Sequence, residues 1–194
     1  MREPVPQSEY TEDYFVHNCD GYTVDGSLCR RLQCLMQHLP HIEAMKVFDV
    51  GCGRGEITKH LSGLGHEVLA TDYSQAAARL FQQNVPGGTF LLRDATLGFP
   101  WIASDYFDLV VLADVVEHLY DEHLCVLARE AVRMLKPGGM ILIDTPIMKG
   151  GESKLHVDIK ESAQEVHAYF TGTQMIGTHW HKKPEHCNII LRKQ

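Results

Sequence analysis

Long apolar runs are missing. No stretch of the 194 residues approaches the roughly 18 uninterrupted apolar residues that cross a bilayer. REPVPQSEYTEDYF, after Met1, has no apolar signal-peptide core, so a soluble, cytoplasmic protein that makes no membrane contact is expected. Paired cysteines are missing too. Cys19, Cys29, Cys34, Cys52, Cys125 and Cys187 are scattered without a C-x-x-C pair, which argues against zinc modules and secreted disulfide frameworks and for reduced thiols. Positive charge is in deficit: Lys+Arg 18 against Asp+Glu 25 leaves a formal charge of -7, which disfavours a general nucleic-acid binder. Gly 16 and Pro 8 are ordinary shares, and neither a repeat nor a linker is visible, so one compact domain is expected. The unusual abundance is histidine, 12 residues, each a possible base or metal ligand near neutral pH.

Leu28, Leu32, Leu35, Met36 and Leu39 recur at helical spacing before Pro40, so residues 1–45 read as a helical lead-in. From residue 46 strands alternate with helices. Strands are expected at 47–50, 67–71, 89–92, 107–113 and 140–144. Ile57, Leu61 and Leu64 should share the face of one helix; Ala77, Leu80 and Phe81, capped by Ser74, that of a second; Leu124, Ala128, Ala131 and Leu135 that of a third. FDLVVLA is apolar throughout, as expected of a parallel strand covered on both faces. A helix over 161–170 and strands at 175–180 and 187–191 follow. The six-residue link between those strands is too short for a parallel crossover, so they should form an antiparallel hairpin. The expected fold is α/β: a Rossmann-like, doubly wound, seven-stranded sheet, mostly parallel, with an antiparallel C-terminal hairpin strand.

Asp49-Val50-Gly51-Cys52-Gly53-Arg54-Gly55 falls at a strand-to-helix switch, where glycines let a ligand approach the backbone and helix N-terminal amides face it. Asp72, ending the second strand, can accept both hydroxyls of a ribose. The spacing is G-x-G-x-G rather than the G-x-G-x-x-G of NAD or FAD sites, which sets a nicotinamide dehydrogenase last among the readings. VFDVGCGRGE, LATDYS, LLRDAT, FDLVVLADVVEHL and LKPGGMILIDTP resemble, in order, the motifs of the class I S-adenosylmethionine-dependent methyltransferases. The resemblance implies that residues 46–194 bind S-adenosylmethionine and release S-adenosylhomocysteine. It implies that Gly51, Cys52, Gly53 and Gly55 form the loop beside the methionine half, with Asp49 supporting it. Asp72 would hold the ribose, Tyr73 one adenine face, Asp94 and Ala95 the adenine edge, and the Ala113 carbonyl the ammonium. Arg54, Arg30 and Arg31 are candidates for the carboxylate, because a guanidinium fork matches two oxygens.

The acceptor pocket should lie beyond strands four and five, within reach of the loop 146–160 and of an aromatic stretch, Tyr10, Tyr14, Phe15 and Tyr22, that can serve as a lid or simply cover a sheet edge. Asp114, Glu117 and His118, at i, i+3 and i+4, should share one side of a helical turn; with His156 they can supply a general base or hold a hard metal. D-V-V-E-H with a later histidine resembles the pattern of metal-dependent small-RNA 2′-O-methyltransferases, with Asp114 where that pattern has Glu. Small-molecule members also carry Glu-His-Leu there without metal, and the reading adopted assigns no metal. His156 and His118 are the expected catalytic residues, with His156, in the loop after strand five, the preferred base or acceptor-positioning residue. His179, His181, His186 and Cys187 invite a zinc site but lack compact spacing, and a polar edge hairpin is the simpler reading. The expected reaction is methyl transfer to an O or N atom of a small molecule, by a monomer or homodimer. An RNA- or protein-directed methyltransferase and a non-enzymatic S-adenosylmethionine-binding protein are the rivals.

Overall fold

A computed structural model describes residues 2–3, 5–17, 28–147, 155–182 and 185–194. Tyr22 and Cys19 of the sequence reading, and residues 148–154 of the acceptor loop, lie outside the described residues. The order is α1 (Glu12–His17), α2 (Arg30–Met36), β1 (Lys46–Val50), α3 (Glu56–Gly63), β2 (Glu67–Asp72), α4 (Gln75–Asn84), β3 (Thr89–Leu92), β4 (Phe107–Ala113), α5 (Asp121–Met134), β5 (Leu135–Pro146), α6 (Ala163–His167), β6 (Thr173–Lys182) and β7 (Glu185–Lys193). Seven strands form one sheet in the order β3-β2-β1-β4-β5-β7-β6. The first five are parallel, and β7 runs antiparallel to both of its neighbours.

The apolar β4 explains itself once its faces are separated. Val110 and Leu112 join a core with Leu124, Leu127 and Ala131 of α5 and Val166 of α6; Leu109, Val111 and Ala113 join another with Leu32, Leu35, Ile57 and Leu61 of α2 and α3. Each fully buried leucine contributes roughly 1.5–3 kcal/mol relative to exposure, so α2 is tied to the sheet rather than appended to it. Ser74 caps α4 as expected, its hydroxyl accepting from the amides of Ala76 and Ala77.

Local boundaries depart from the sequence reading. Leu64 is exposed, because α3 ends before it. Leu135 opens β5 instead of closing α5: Phe107 pairs with Leu135 and Leu109 with Met140, so residues 136–139 bulge out of a strand rather than preceding it. α6 is only five residues long, beginning where the Ser162 hydroxyl accepts from the Glu165 amide. The terminal strands extend to Lys182 and from Glu185, a tighter hairpin than the six-residue link expected. Among the described residues, no helix is long and apolar enough to cross a membrane.

Candidate active site

The strand order reverses between β1 and β4, and a crevice is expected there at the carboxyl ends of the strands. A cleft that opens to solvent occupies that place. Gly51, Gly53, Asp72, Tyr73, Asp94, Ala95 and Ala113 line it, together with His118 and Arg54. Its roof is the N-terminal segment, with Tyr10, Tyr14 and Phe15. Thr71, Arg93, Val115 and Leu119 also line it; each falls within a quoted motif, but the resemblance gives none of them a role.

The glycine loop is shaped by sterics. Gly51 has φ 69°, and a Cβ there would stand 2.5 Å from Val115 Cγ2. Gly55 has φ 87°, and its Cβ would meet Phe81 and Val85 at 2.6 and 2.7 Å, so Gly55 serves the loop's packing on α4 and is not at the cavity wall. Cys52 is likewise buried, among Ala70, Phe81 and Val85. Asp49 lies beneath the loop, accepting from the Thr58 hydroxyl at 2.6 Å, and burial pushes its carboxyl up to about 7. Asp72 accepts from the Gly53 amide at 3.1 Å and the Ser74 amide at 2.8 Å. Burial holds it at about 6, and these amides oppose that rise.

The three candidate arginines differ. Arg30 is exposed. Arg54 lines the cavity but pairs with Glu56 at 2.6 Å. Arg31 is buried and donates to both Asp144 and Asp114, so its charge is committed to carboxylates of the protein.

The expectation that Asp114, Glu117 and His118 share one helical turn is corrected here. Asp114 adopts φ 55°, and only a 3-10 turn, Val116–His118, follows. The left-handed residue turns Asp114 towards Arg31 and His186. Glu117 and His118 instead meet His156 after β5: one ligand-type atom from each lies within 4.8 Å of the others. Glu117 is buried, accepts from the Thr145 hydroxyl at 2.9 Å, and is pushed well above the carboxylate range by desolvation and by the charge of Asp114. The Leu155 carbonyl, 2.9 Å from His118 Nδ1, can only accept, so Nδ1 carries the proton and Nε2 presents a lone pair 3.9 Å from Glu117. Burial lowers the His118 pKa, so this imidazole is neutral at pH 7. His156 stacks edge-on to it at 5.1 Å between ring centroids. Such a group can take a proton or hold a divalent cation.

His179 and His181 do lie together, with ring centroids 4.7 Å apart. His186 does not join them; its Nδ1 lies 3.0 Å from Asp144. Cys187 is buried with the α5 core.

Residues 48–143 match the family model described as "Methyltransferase domain". The ubiquinone biosynthesis O-methyltransferase of Bradyrhizobium diazoefficiens is 32% identical over 130 residues, 64% of this chain and 49% of that protein. A probable S-adenosylmethionine-dependent methyltransferase of Mycolicibacterium smegmatis is 30% identical over 127 residues, 65% of this chain and 48% of that one. The chain thus spans about half the length of the curated relatives it matches. Among solved structures, a TehB-like SAM-dependent methyltransferase from Corynebacterium glutamicum superposes with TM-score 0.70 at 19% identity, over 97% of this chain and 98% of that one. The cyclase SpnF superposes with TM-score 0.73 at 14% identity, over 100% and 97%. At such identities the likeness concerns the fold, which supports more than one chemistry.

Proposed function

Because this chain carries a class I S-adenosylmethionine-dependent methyltransferase domain, we propose that it transfers the methyl group of S-adenosylmethionine to an oxygen or nitrogen of a small-molecule acceptor. The observation that carries the reading is the cavity at the β1/β4 reversal, with a glycine loop and a buried carboxylate on one side and the His118 imidazole on another. These residues suit the cofactor. Val115 packs where a Gly51 side chain would stand, and Gly51 and Gly53 line the cavity with backbone alone. Asp72 has one lone pair on each oxygen occupied by an amide and others left to accept from ribose hydroxyls. Gly51 and Gly53 would lie along the methionine half, Tyr73, Asp94 and Ala95 around the adenine, and the Ala113 carbonyl would accept from the ammonium. When bound, the cofactor supplies an electrophilic sulfonium methyl and leaves as S-adenosylhomocysteine.

The chain's own work is then to position the acceptor and remove its proton. His118 lines the cavity and serves as the base through Nε2; the charges of Asp114 and Asp72 favour the imidazolium that forms. His156 packs on that imidazole and helps to position it. Tyr10, Tyr14 and Phe15 act as the lid, Phe15 lying 3.4 Å from where a Cβ on Gly53 would stand. The formal charge of -7 and the relatives named for O-methylation in ubiquinone biosynthesis favour a small acceptor over RNA. A methylation screen read by mass spectrometry, with S-adenosylmethionine and small phenols, amines and RNA as candidate acceptors, tests the reading. Labelled product from RNA alone, or NAD binding without binding of either sulfur nucleoside, would overturn it.

A further inference from the structure

On the α2 side of the sheet, far along the sheet order from the glycine loop, three donors from separated parts of the sequence converge. Cys34 of α2 and His179 and His181 of β6 each offer one ligand atom within 4.8 Å of the other two. We propose that Cys34, His179 and His181 form a zinc-binding site that clamps the lead-in helix to the outermost strand. Cys34 and His181 are half-buried and His179 is exposed, so the ion has a path from solvent and the rings have room to close on it. In a tetrahedral site with metal distances near 2.0–2.3 Å the donors stand roughly 3.4–3.7 Å apart; the contraction needed is about an ångström, within reach of small side-chain rotations.

The best evidence for a built site is the orientation of His181. Asn188 is fully buried, and its Nδ2 donates to Asp144 Oδ1 at 2.6 Å. Its Oδ1 is therefore the atom facing His181 Nε2, 2.8 Å away, and that oxygen can only accept. So Nε2 carries the proton and Nδ1 keeps the lone pair. A buried carboxylate thus fixes, through a carboxamide, which nitrogen of the half-buried His181 keeps its lone pair, as outer partners do for metal-bound histidines. Asp144 also accepts from Arg31 of the same α2 helix, so the proposed clamp and the ion pair brace one contact. The other neighbouring donor group, Asp114, Asp144 and His186, already encloses the Arg31 guanidinium and is unsuited to a cation.

One thiolate and two imidazoles select zinc over magnesium or calcium, and a water completes four-coordination. Binding replaces the Cys34 S–H proton by metal and releases it to solvent, so affinity rises with pH. The test uses the whole 194-residue chain stripped with chelator. Zn²⁺ alone is titrated against a competing chromophoric chelator, and Co²⁺ is substituted to read the thiolate-to-cobalt charge-transfer band. Cys34→Ser abolishes the band and weakens Zn²⁺ binding at least tenfold; His179→Ala, at an exposed position where folding is not at stake, also weakens it at least tenfold; Cys125→Ser changes neither. Zn²⁺ raises the thermal midpoint of the parent protein but not of Cys34→Ser. A parent protein without the charge-transfer band, or Zn²⁺ affinity kept in both Cys34→Ser and His179→Ala, overturns the site. Affinity lost in Glu117→Gln but kept in Cys34→Ser places the metal in the cavity instead and overturns it equally.

Discussion

The Gly53 amide donates to Asp72 Oδ2 across 3.1 Å, so the loop after β1 and the end of β2 form one hydrogen-bonded unit. The contact couples the two halves of the proposed cofactor site: the carboxylate that would hold the ribose also sets the position of the backbone beside the methionine half.

Asp72 should therefore report the cofactor's protonation requirement. Burial holds its carboxyl at about 6, and ribose hydroxyls donate to the ionised form. Ligand binding favours the deprotonated state, so affinity for S-adenosylhomocysteine should fall as pH drops below that value and level off above it. Calorimetry across that range checks the sign. Asp72→Ala should weaken binding at least tenfold, the loss of a charge-assisted hydrogen bond. Unchanged affinity would separate this residue from the cofactor.

Asp49 should cost stability at neutral pH. Its carboxyl rises from 3.8 to about 7 on burial, so the folded state holds the proton more tightly than the unfolded chain. Stability from this group is present at acid pH and declines as pH rises through that window. Asp49→Asn keeps an oxygen for the Thr58 hydroxyl and removes the ionisation. Thermal unfolding should then show a midpoint higher by a few degrees above pH 7, with little change near pH 4. An equal shift at both pH values would refute the titration account.

Much of this was readable in the chain because it is local. The apolar β4, the Ser74 cap and the glycine loop each depend on neighbours a few residues away. Asp72 was legible because it ends a strand next to that loop. Arg31 was not: its partners Asp114 and Asp144 are 83 and 113 residues distant, and an arginine on an amphipathic helix looks like a solvated charge until the sheet is assembled. Asp114 departs from the helical spacing for a backbone reason: a positive φ interrupts it, and nothing in D-V-V-E-H announces a left-handed aspartate. The grouping of Cys34 is not legible locally, because its companions lie on β6, near the other end of the chain.

The cluster of Glu117, His118 and His156 allows a base and a metal to be told apart. With His118 as the base, activity survives exhaustive chelation, and His118→Ala lowers kcat by about 10²–10⁴. Because burial lowers the His118 pKa, kcat/KM should rise with pH through a limb below 6.5, the imidazole's ordinary value, and then plateau. His156→Ala should lower kcat less than His118→Ala, since His156 acts by packing on the base. Activity lost on chelation and restored by Mg²⁺, Mn²⁺ or Zn²⁺ would reassign the three side chains as ligands.

Phe15 should govern ligand escape rather than chemistry. Its ring lies against the Gly53 loop and belongs to a cluster with Tyr10, Ala76 and Ala77. Truncation to alanine opens the roof while leaving Asp72 and His118 in place. Stopped-flow displacement of S-adenosylhomocysteine should show dissociation faster by several-fold with little change in the association rate, the usual division for a lost contact. A slower association with unchanged dissociation would mean that Phe15 shapes the entrance and is no lid.

Arg31 should prove structural. Asp144 is fully buried and accepts from Arg31, from Asn188 and from His186. Removing the guanidinium strands that carboxylate, so Arg31→Met should destabilise the fold by about 3–5 kcal/mol. The cause can be isolated with a second change. Asp144→Asn removes the charge that Arg31 neutralises, and the double variant should recover much of the loss, giving a strong coupling in a double-mutant cycle measured by urea unfolding. Arg31→Met alone should leave the affinity of the folded protein for S-adenosylhomocysteine within a few-fold, because both strong partners of the guanidinium belong to the protein. Additive stability losses, or a tenfold weaker cofactor affinity in folded Arg31→Met, would return Arg31 to the cofactor carboxylate.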